Sequence, residues 1–110
     1  MNRVLSLDPD AGTATVEPGV VQEDLQRHAR PYGLRFGPDP SSSSRCTLGG
    51  MIGNNACGTR ALGYGRTSDN IVDLQLLTTA GEPLDLSGGS PVSAELRRIA
   101  QAGLATIRTE

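Results

Sequence analysis

Polar and apolar residues alternate from Val4 to Leu7 and again from Thr13 to Val16, on either side of Asp8-Pro9-Asp10-Ala11-Gly12. Two period-two runs flanking such turn chemistry predict a β-hairpin. Glu17-Pro18-Gly19 leads into Val20 to Ala29, where Val21, Leu25 and His28 or Ala29 fall at helical spacing and Glu23 and Asp24 occupy the first turn. This predicts a helix, ended by Pro31 and Gly33. Leu34 to Phe36 reads as a short strand. Farther on, Ile71 to Thr79 alternates imperfectly, which suggests a strand buried on both faces, and Ala80-Gly81-Glu82-Pro83 turns it into Leu84-Asp85-Leu86 as a second hairpin. Ser87 to Ser90 is a polar linker, after which Ser93 N-caps a helix through Ile107 with Leu96, Ile99, Ala100, Gly103 and Leu104 on one stripe. The class is α+β, with short β-hairpins and packed helices.

Between these elements, Phe36 to Gly65 holds seven of the fourteen glycines and both cysteines. Gly49, Gly50, Gly53, Gly58, Gly63 and Gly65 permit positive φ and close backbone approach, and the small hydroxyl and amide side chains among them add hydrogen bonds without bulk. Thr47 to Asn55 can aim consecutive amide N–H groups at one anion, either as a nest or as the first turn of a short helix. Phosphate is the natural anion, with Met51 and Ile52 facing inward and Asn54 and Asn55 reaching ribose, ribityl or ring edges. GGxxG without a long hydrophobic strand before it is not a Rossmann dinucleotide fingerprint. The serines Ser41 to Ser44 lie between proline-bounded turns and the glycine cluster, which predicts an ordered loop.

Length and composition narrow the function. At 110 residues the chain is at most one domain, and 36% hydrophobic content with three aromatics, Tyr32, Phe36 and Tyr64, is thin for an independent core. It opens into a strand-like run, Arg3 to Leu7, and closes in a helical pattern, Ile107 to Glu110, without a stop signal. These ends predict a partial domain, residues 1–110, truncated on both sides. A net charge of −2 argues against a nucleic-acid partner. All ten basic residues are arginines, which excludes lysine-based Schiff-base or P-loop chemistry. No apolar run reaches the length of a membrane span and no signal-type segment opens the chain, so a cytoplasmic protein is expected. Cys46 and Cys57 fit neither a CxxC pair nor a zinc half-site and are expected as buried free thiols, with no metal site. His28 is expected to be solvated.

Val16-Glu17-Pro18-Gly19-Val20, Gly37-Pro38-Asp39-Pro40-Ser41-Ser42, the run Cys46 to Gly58, Tyr64-Gly65 and Ala80-Gly81-Glu82 closely resemble the flavin domain of FAD-linked oxidases with the PCMH-type, vanillyl-alcohol-oxidase-like fold. Within that superfamily the chain is most similar to the flavoprotein dehydrogenases of 2-hydroxy acids. They comprise the glycolate oxidase FAD subunit, D-lactate dehydrogenase and D-2-hydroxyglutarate dehydrogenase, including long members fused to an iron–sulfur region. The resemblance implies noncovalently bound FAD, with any iron–sulfur cluster confined to the full-length parent. It places Pro38, Asp39, Pro40 and Ser42 beside the isoalloxazine and ribityl chain, and Thr47, Gly49 and Gly50 at the pyrophosphate. Asn54, Asn55 and Gly58 continue that wall, Tyr64 and Gly65 line the ribityl or adenine end, and Ile71 holds adenine by main-chain bonds. It also implies a first pyrophosphate loop preceding Met1 and a substrate cap following Glu110, with the catalytic base in the cap and no catalytic residue identifiable here. The function implied is the FAD-binding portion of an oxidoreductase that oxidises a small 2-hydroxy acid by hydride transfer to flavin. On its own the portion is not expected to be active. The alternatives are a truncated, non-enzymatic remnant that binds nothing tightly, and a binder of another nucleotide or sugar phosphate.

Overall fold

A computed structural model describes residues 1–84 and 91–109, with the side chains at 105, 107 and 109 outside that description. The hairpin forms as predicted: β1 (Val4–Asp8) pairs antiparallel with β2 (Thr13–Val16), in register from Asp8 opposite Thr13 to Val4 opposite Val16, with one irregularity between Val4 and Ser6. Its turn is built locally. Asp8 Oδ1 accepts the N–H groups of Asp10 and Ala11, each at 3.0 Å, and Gly12 takes φ +64°, the left-handed conformation that favours glycine. At the open end Arg3 and Glu17 clamp the strands. The Glu17 carboxylate accepts from the Arg3 backbone N–H at 2.9 Å and from its guanidinium at 2.8 Å, while Glu17 N–H returns to the Arg3 carbonyl.

Helix α1 (Gln22–Ala29) buries Gln22, Leu25 and Ala29 at i, i+3 and i+7. The inward stripe therefore ends on Ala29, and His28 stays exposed with Nδ1 2.8 Å from the Asp24 carbonyl. Arg30–Tyr32 continues as one 3₁₀ turn, and Gly33 at φ +70° closes it, as the Pro31 and Gly33 signals predict. Leu34 to Phe36 is not a strand. The Gln26 side-chain amide takes the place of a partner strand, accepting from Phe36 N–H at 3.0 Å and donating to the Phe36 carbonyl at 2.7 Å. Once both backbone groups of Phe36 are satisfied this way, no ladder is needed.

Of the two forms expected for the glycine run, a nest or a short helix, the chain adopts the helix, α2 (Leu48–Gly53). Val20, Leu25, Leu48 and Met51 form the core, with Val4, Val16, Phe36, Cys46 and Ala56 packed around it. Burying side chains of this size stabilises by roughly 1.5–3 kcal/mol each, so these four hold the hairpin, α1 and α2 together. Ile52 is half-buried. The following segment, α3 (Ala61–Tyr64) and a 3₁₀ turn at Thr67–Asn70, is tied back by fully buried Thr67, whose N–H and hydroxyl both donate to the Ala56 carbonyl, at 2.9 and 2.6 Å. Both cysteines are free, as expected, but Cys46 is half-buried and Cys57 exposed.

The chain divides into two units, Met1–Ile71 and Val72–Glu110. In the second, β3 (Leu76–Leu77) pairs antiparallel with β4 (Pro83–Leu84), and Gly81 turns between them at φ +79°. The strand foreseen over Ile71 to Thr79 contracts to two residues, and Leu76 and Leu77 are 37% and 75% exposed rather than buried on both faces. Asp85, Leu86 and the linker Ser87 to Ser90 lie outside the described residues. Helix α4 (Pro91–Ala102) starts at Pro91, which suits a first helical position because its missing N–H is not needed there. Ser93 therefore sits inside the helix rather than capping it. The chain breaks at Gly103 before α5 (Leu104–Thr109), dividing the single helix expected through Ile107.

Candidate functional site

The first turn of α2 carries the motif most suggestive of an anion, yet its donors are already spent. Leu48 N–H donates to the Val20 carbonyl and Gly49 N–H to the Pro18 carbonyl, both at 2.8 Å. Gly50 N–H donates to Thr47 Oγ1 at 3.3 Å, and Met51 N–H to the Thr47 carbonyl at 2.9 Å. Thr47 is thus an N-cap, and the expected convergence of amides on a pyrophosphate is replaced by bonds within the chain. Gly49 has a related cause: a Cβ there would meet Pro18 Cβ at 2.9 Å and Pro18 O at 3.1 Å.

What α2 leaves open is the surface around Gly53. Gly50, Gly53 and Asn54 are exposed, and a Cβ placed on Gly53 would meet nothing within 4 Å. Gly53 has helical backbone, so neither positive φ nor packing calls for glycine there; the open space suits a flat group lying on the backbone. Asn54 Nδ2 caps the Gly50 carbonyl at 3.0 Å, which leaves Oδ1 outward. Asn55 does structural work instead. It adopts φ +44°, and its Oδ1 accepts Ser68 N–H at 3.0 Å, linking α2 to the Thr67–Asn70 turn.

The Gly37–Ser44 loop is arranged in the opposite way. Pro38 is fully buried, with its carbonyl accepting Gln22 Nε2 at 3.2 Å, whereas Ser41, Ser42 and Ser44 are exposed and their amides donate to no described residue. The loop is locked onto the α3 segment at two points. A Cβ on Gly37 would strike the Tyr64 side chain at 2.6 Å, and one on Gly58 would lie 2.0 Å from the Asp39 carbonyl oxygen. Asp39 adds an electrostatic tie, its carboxylate 3.6 Å from Arg35 and 3.5 Å from Arg60, with the Arg35 guanidinium 5.8 Å from the Tyr64 ring centre. Gly65 takes φ +74°, and a Cβ there would crowd Asp69. The Ile71 N–H donates to the Ser68 carbonyl at 3.5 Å.

Of the sequence-predicted site residues, the fold gathers Asp39, Pro40, Ser42, Gly58 and Tyr64 into one loop cluster. Thr47, Gly49, Gly50 and Asn54 lie together on α2. Pro38, Gly49, Asn55, Gly58 and Gly65 serve contacts within the chain. Sequence reasoning missed Gly37 and Arg60, whose partners Tyr64 and Asp39 are remote along the chain, and Arg35, whose pairing with Asp39 is only four residues away but lies outside any helix that would signal it.

Residues 1–87 match the protein family described as an FAD binding domain. A D-2-hydroxyglutarate dehydrogenase from Escherichia coli (strain K12) is 38% identical over 96 residues, 87% of this chain and 9% of the dehydrogenase. Glycolate oxidase subunit GlcD from Bacillus subtilis (strain 168) is 40% identical over 88 residues, 80% of this chain and 19% of that subunit. Among solved structures, an alkyldihydroxyacetonephosphate synthase matches 83% of this chain and 16% of its own, with TM-score 0.71 and 31% identity. The chain therefore spans less than a fifth of each of these relatives. With its mixture of helices and small antiparallel strands it matches part of their PCMH-type fold, and it belongs to the FAD-binding domain family, whose cofactor is FAD.

Proposed function

We propose that this chain supplies one wall of the FAD site of an oxidoreductase acting on a small 2-hydroxy acid. The observation that carries the reading is the exposed surface of α2 at Gly53, where nothing in the chain lies within 4 Å of the space a side chain would fill, while at Gly50 that space is bounded by Thr47 Oγ1 at 3.2 Å. FAD fits such a wall. The glycine face accepts a flat ring or ribityl chain, and the amides and hydroxyls of Ser41, Ser42 and Ser44 offer donors that α2 no longer has. Tyr64 and Asp39 border the same loop, and Thr47 acts by fixing the turn. Bound FAD would supply a two-electron acceptor for the carbon bearing the hydroxyl. No residue of this chain is assigned as base; its part is to bind, orient and exclude water. The 2-hydroxy-acid substrate is supported by the names of the dehydrogenase and the glycolate oxidase subunit.

FAD titration of the chain, followed by flavin fluorescence and thermal melting, tests this. Binding at one hundred times Kd should stabilise the fold by about 2.7 kcal/mol and raise Tm. The variant Gly53→Ala separates ligand from fold: alanine in a helix should stabilise the free chain by roughly 0.5–1 kcal/mol while weakening FAD binding. Absence of any FAD effect on the wild-type melt, or FAD binding by Gly53→Ala equal to wild type, would overturn the proposed wall.

A further inference from the structure

Beside α1 and the Gly37–Ser44 loop lies a cavity of about 350 Å³ lined by Gln22, Glu23, Arg30, Arg35, Asp39 and Ser43, among others. It shares only Asp39 with the residues expected to face a flavin, and it does not include the glycine face of α2.

Its floor is an amide with one unmet bond. Gln22 is 1% exposed, and its Nε2 donates to the Pro38 carbonyl at 3.2 Å, which fixes the orientation of the amide. Its Oε1 accepts from no described residue. No fully enclosed side-chain nitrogen or oxygen lacks a partner among the described residues, so this oxygen opens onto the cavity. Buried polar atoms are almost always bonded, and an acceptor in this position asks for an O–H or N–H.

The rim asks for the opposite charge. The Arg30 guanidinium has no hydrogen bond or ion pair among the described residues. Arg35 has one carboxylate partner among the described residues, Asp39 at 3.6 Å, besides its contact with the Tyr64 ring, and that carboxylate is shared with Arg60 at 3.5 Å. One carboxylate between two guanidiniums leaves planar donor pairs suited to a further oxyanion. Glu23, Ser43 and Gln26 are the remaining polar lining, the Gln26 amide being bonded to the Phe36 backbone. Glu23 would repel a bare anion, whereas it can accept from a hydroxylated one.

We propose that this cavity binds a small oxyanion carrying a hydroxyl, with the hydroxyl donating to Gln22 Oε1 and the carboxylate or phosphate accepting from Arg30 and Arg35. Two sources share this chemistry: a free 2-hydroxy acid, and the ribose-phosphate portion of a nucleotide. The inference does not rest on the flavin wall.

Nuclear magnetic resonance of the ¹⁵N-labelled chain can follow the Gln22 side-chain amide during titration with 2-hydroxyglutarate, with ADP, and with glutarate, which lacks the hydroxyl. A saturable shift of the Gln22 amide with 2-hydroxyglutarate assigns the cavity to a hydroxy acid; with ADP, to a nucleotide. Glutarate should bind at least about tenfold more weakly than 2-hydroxyglutarate, and Arg30→Gln and Arg35→Gln should each weaken the responding ligand about tenfold while leaving the remaining spectrum in place. The proposal fails if neither 2-hydroxyglutarate nor ADP moves the Gln22 amide up to about 10 mM. It also fails if glutarate binds as well as 2-hydroxyglutarate, or if Arg30→Gln and Arg35→Gln both bind the responding ligand unchanged.

Discussion

The turn at Thr47–Gly50 and the loop at Gly37–Ser44 are both built from small residues, but they use their backbone donors in opposite ways. In the turn, the amides of Leu48, Gly49 and Gly50 go to Val20, Pro18 and Thr47; in the loop, those of Ser41, Ser42 and Ser44 bond to no described residue. The turn is closed upon the fold through its amides, whereas the loop is held mainly through its carbonyls, those of Pro38, Pro40, Ser42 and Ser43 accepting from Gln22, Ser43, Arg45 and Glu23, and by the close approaches that Gly37 and Gly58 allow to Tyr64 and Asp39. A glycine in such a motif can therefore mean either a neighbour inside the chain or a ligand outside it. The space around its missing Cβ tells the two apart.

The comparison is most exposed to failure at Gly58. A Cβ there would lie 2.0 Å from the Asp39 oxygen and 2.8 Å from the Pro40 nitrogen, both backbone atoms that cannot swing aside as a side chain would. Gly58→Ala should cost about 3 kcal/mol, by forcing the Asp39 loop off the α3 segment. Denaturant unfolding measures it directly. Gly49→Ala, facing Pro18 at 2.9 Å, should cost less, and Gly53→Ala should stabilise. If Gly58→Ala unfolds at the wild-type midpoint, the loop is not welded there and the distinction between the two kinds of glycine falls.

Features stabilised by neighbours in sequence were legible in the residues alone. Asp8 to Gly12 makes its own turn, so the first hairpin follows from its pattern; Pro31 and Gly33 stop α1 for local reasons. The family and its cofactor were legible too, because the motif spacing from Pro38 to Gly65 is specific. What stayed hidden depends on partners far along the chain. The Gln26 amide removes the strand expected at Leu34 to Phe36, and the carbonyls of Pro18 and Val20 take amides that the glycine spacing alone would assign to phosphate. Arg35 and Arg60 look like scattered surface charges until Asp39 brings them together. The long strand from Ile71 shrank because only Leu76 and Leu77 find a partner among the described residues.

A smaller effect sharpens the comparison at Thr47. Removing the cap with Thr47→Ala should cost about 1 kcal/mol, and Thr47→Ser should recover most of it. The alanine variant also frees the Gly50 N–H, while Leu48 and Gly49 remain bonded to Val20 and Pro18. FAD affinity, measured well below Tm, should then stay within about twofold of wild type despite the lower stability. A tenfold loss of affinity would place the turn in contact with the nucleotide, and the division between turn and loop would have to be abandoned.

The smallest effect is the acid response of the hairpin. Hydrogen bonds from the Arg3 side chain and backbone pull the Glu17 carboxyl down to about 2, well below the ordinary carboxylate range. A depressed folded-state value means that the contribution to stability is complete above about pH 4.3 and is lost as pH falls through about 2. Arg3 is largely exposed, so solvent screening keeps the effect modest. Glu17→Gln should lower Tm near neutral pH, and the gap from wild type should close toward pH 2. The location of the loss matters as much as its size. Glu17 precedes Pro18, whose carbonyl holds the Gly49 amide, whereas the bonds between Gln26 and Phe36 have no link to Arg3. Hydrogen exchange in acid should therefore loosen Gly49 in the Thr47–Gly50 turn before it loosens Phe36 at the entrance to the serine loop. Equal loosening at both would mean that turn and loop respond as one unit.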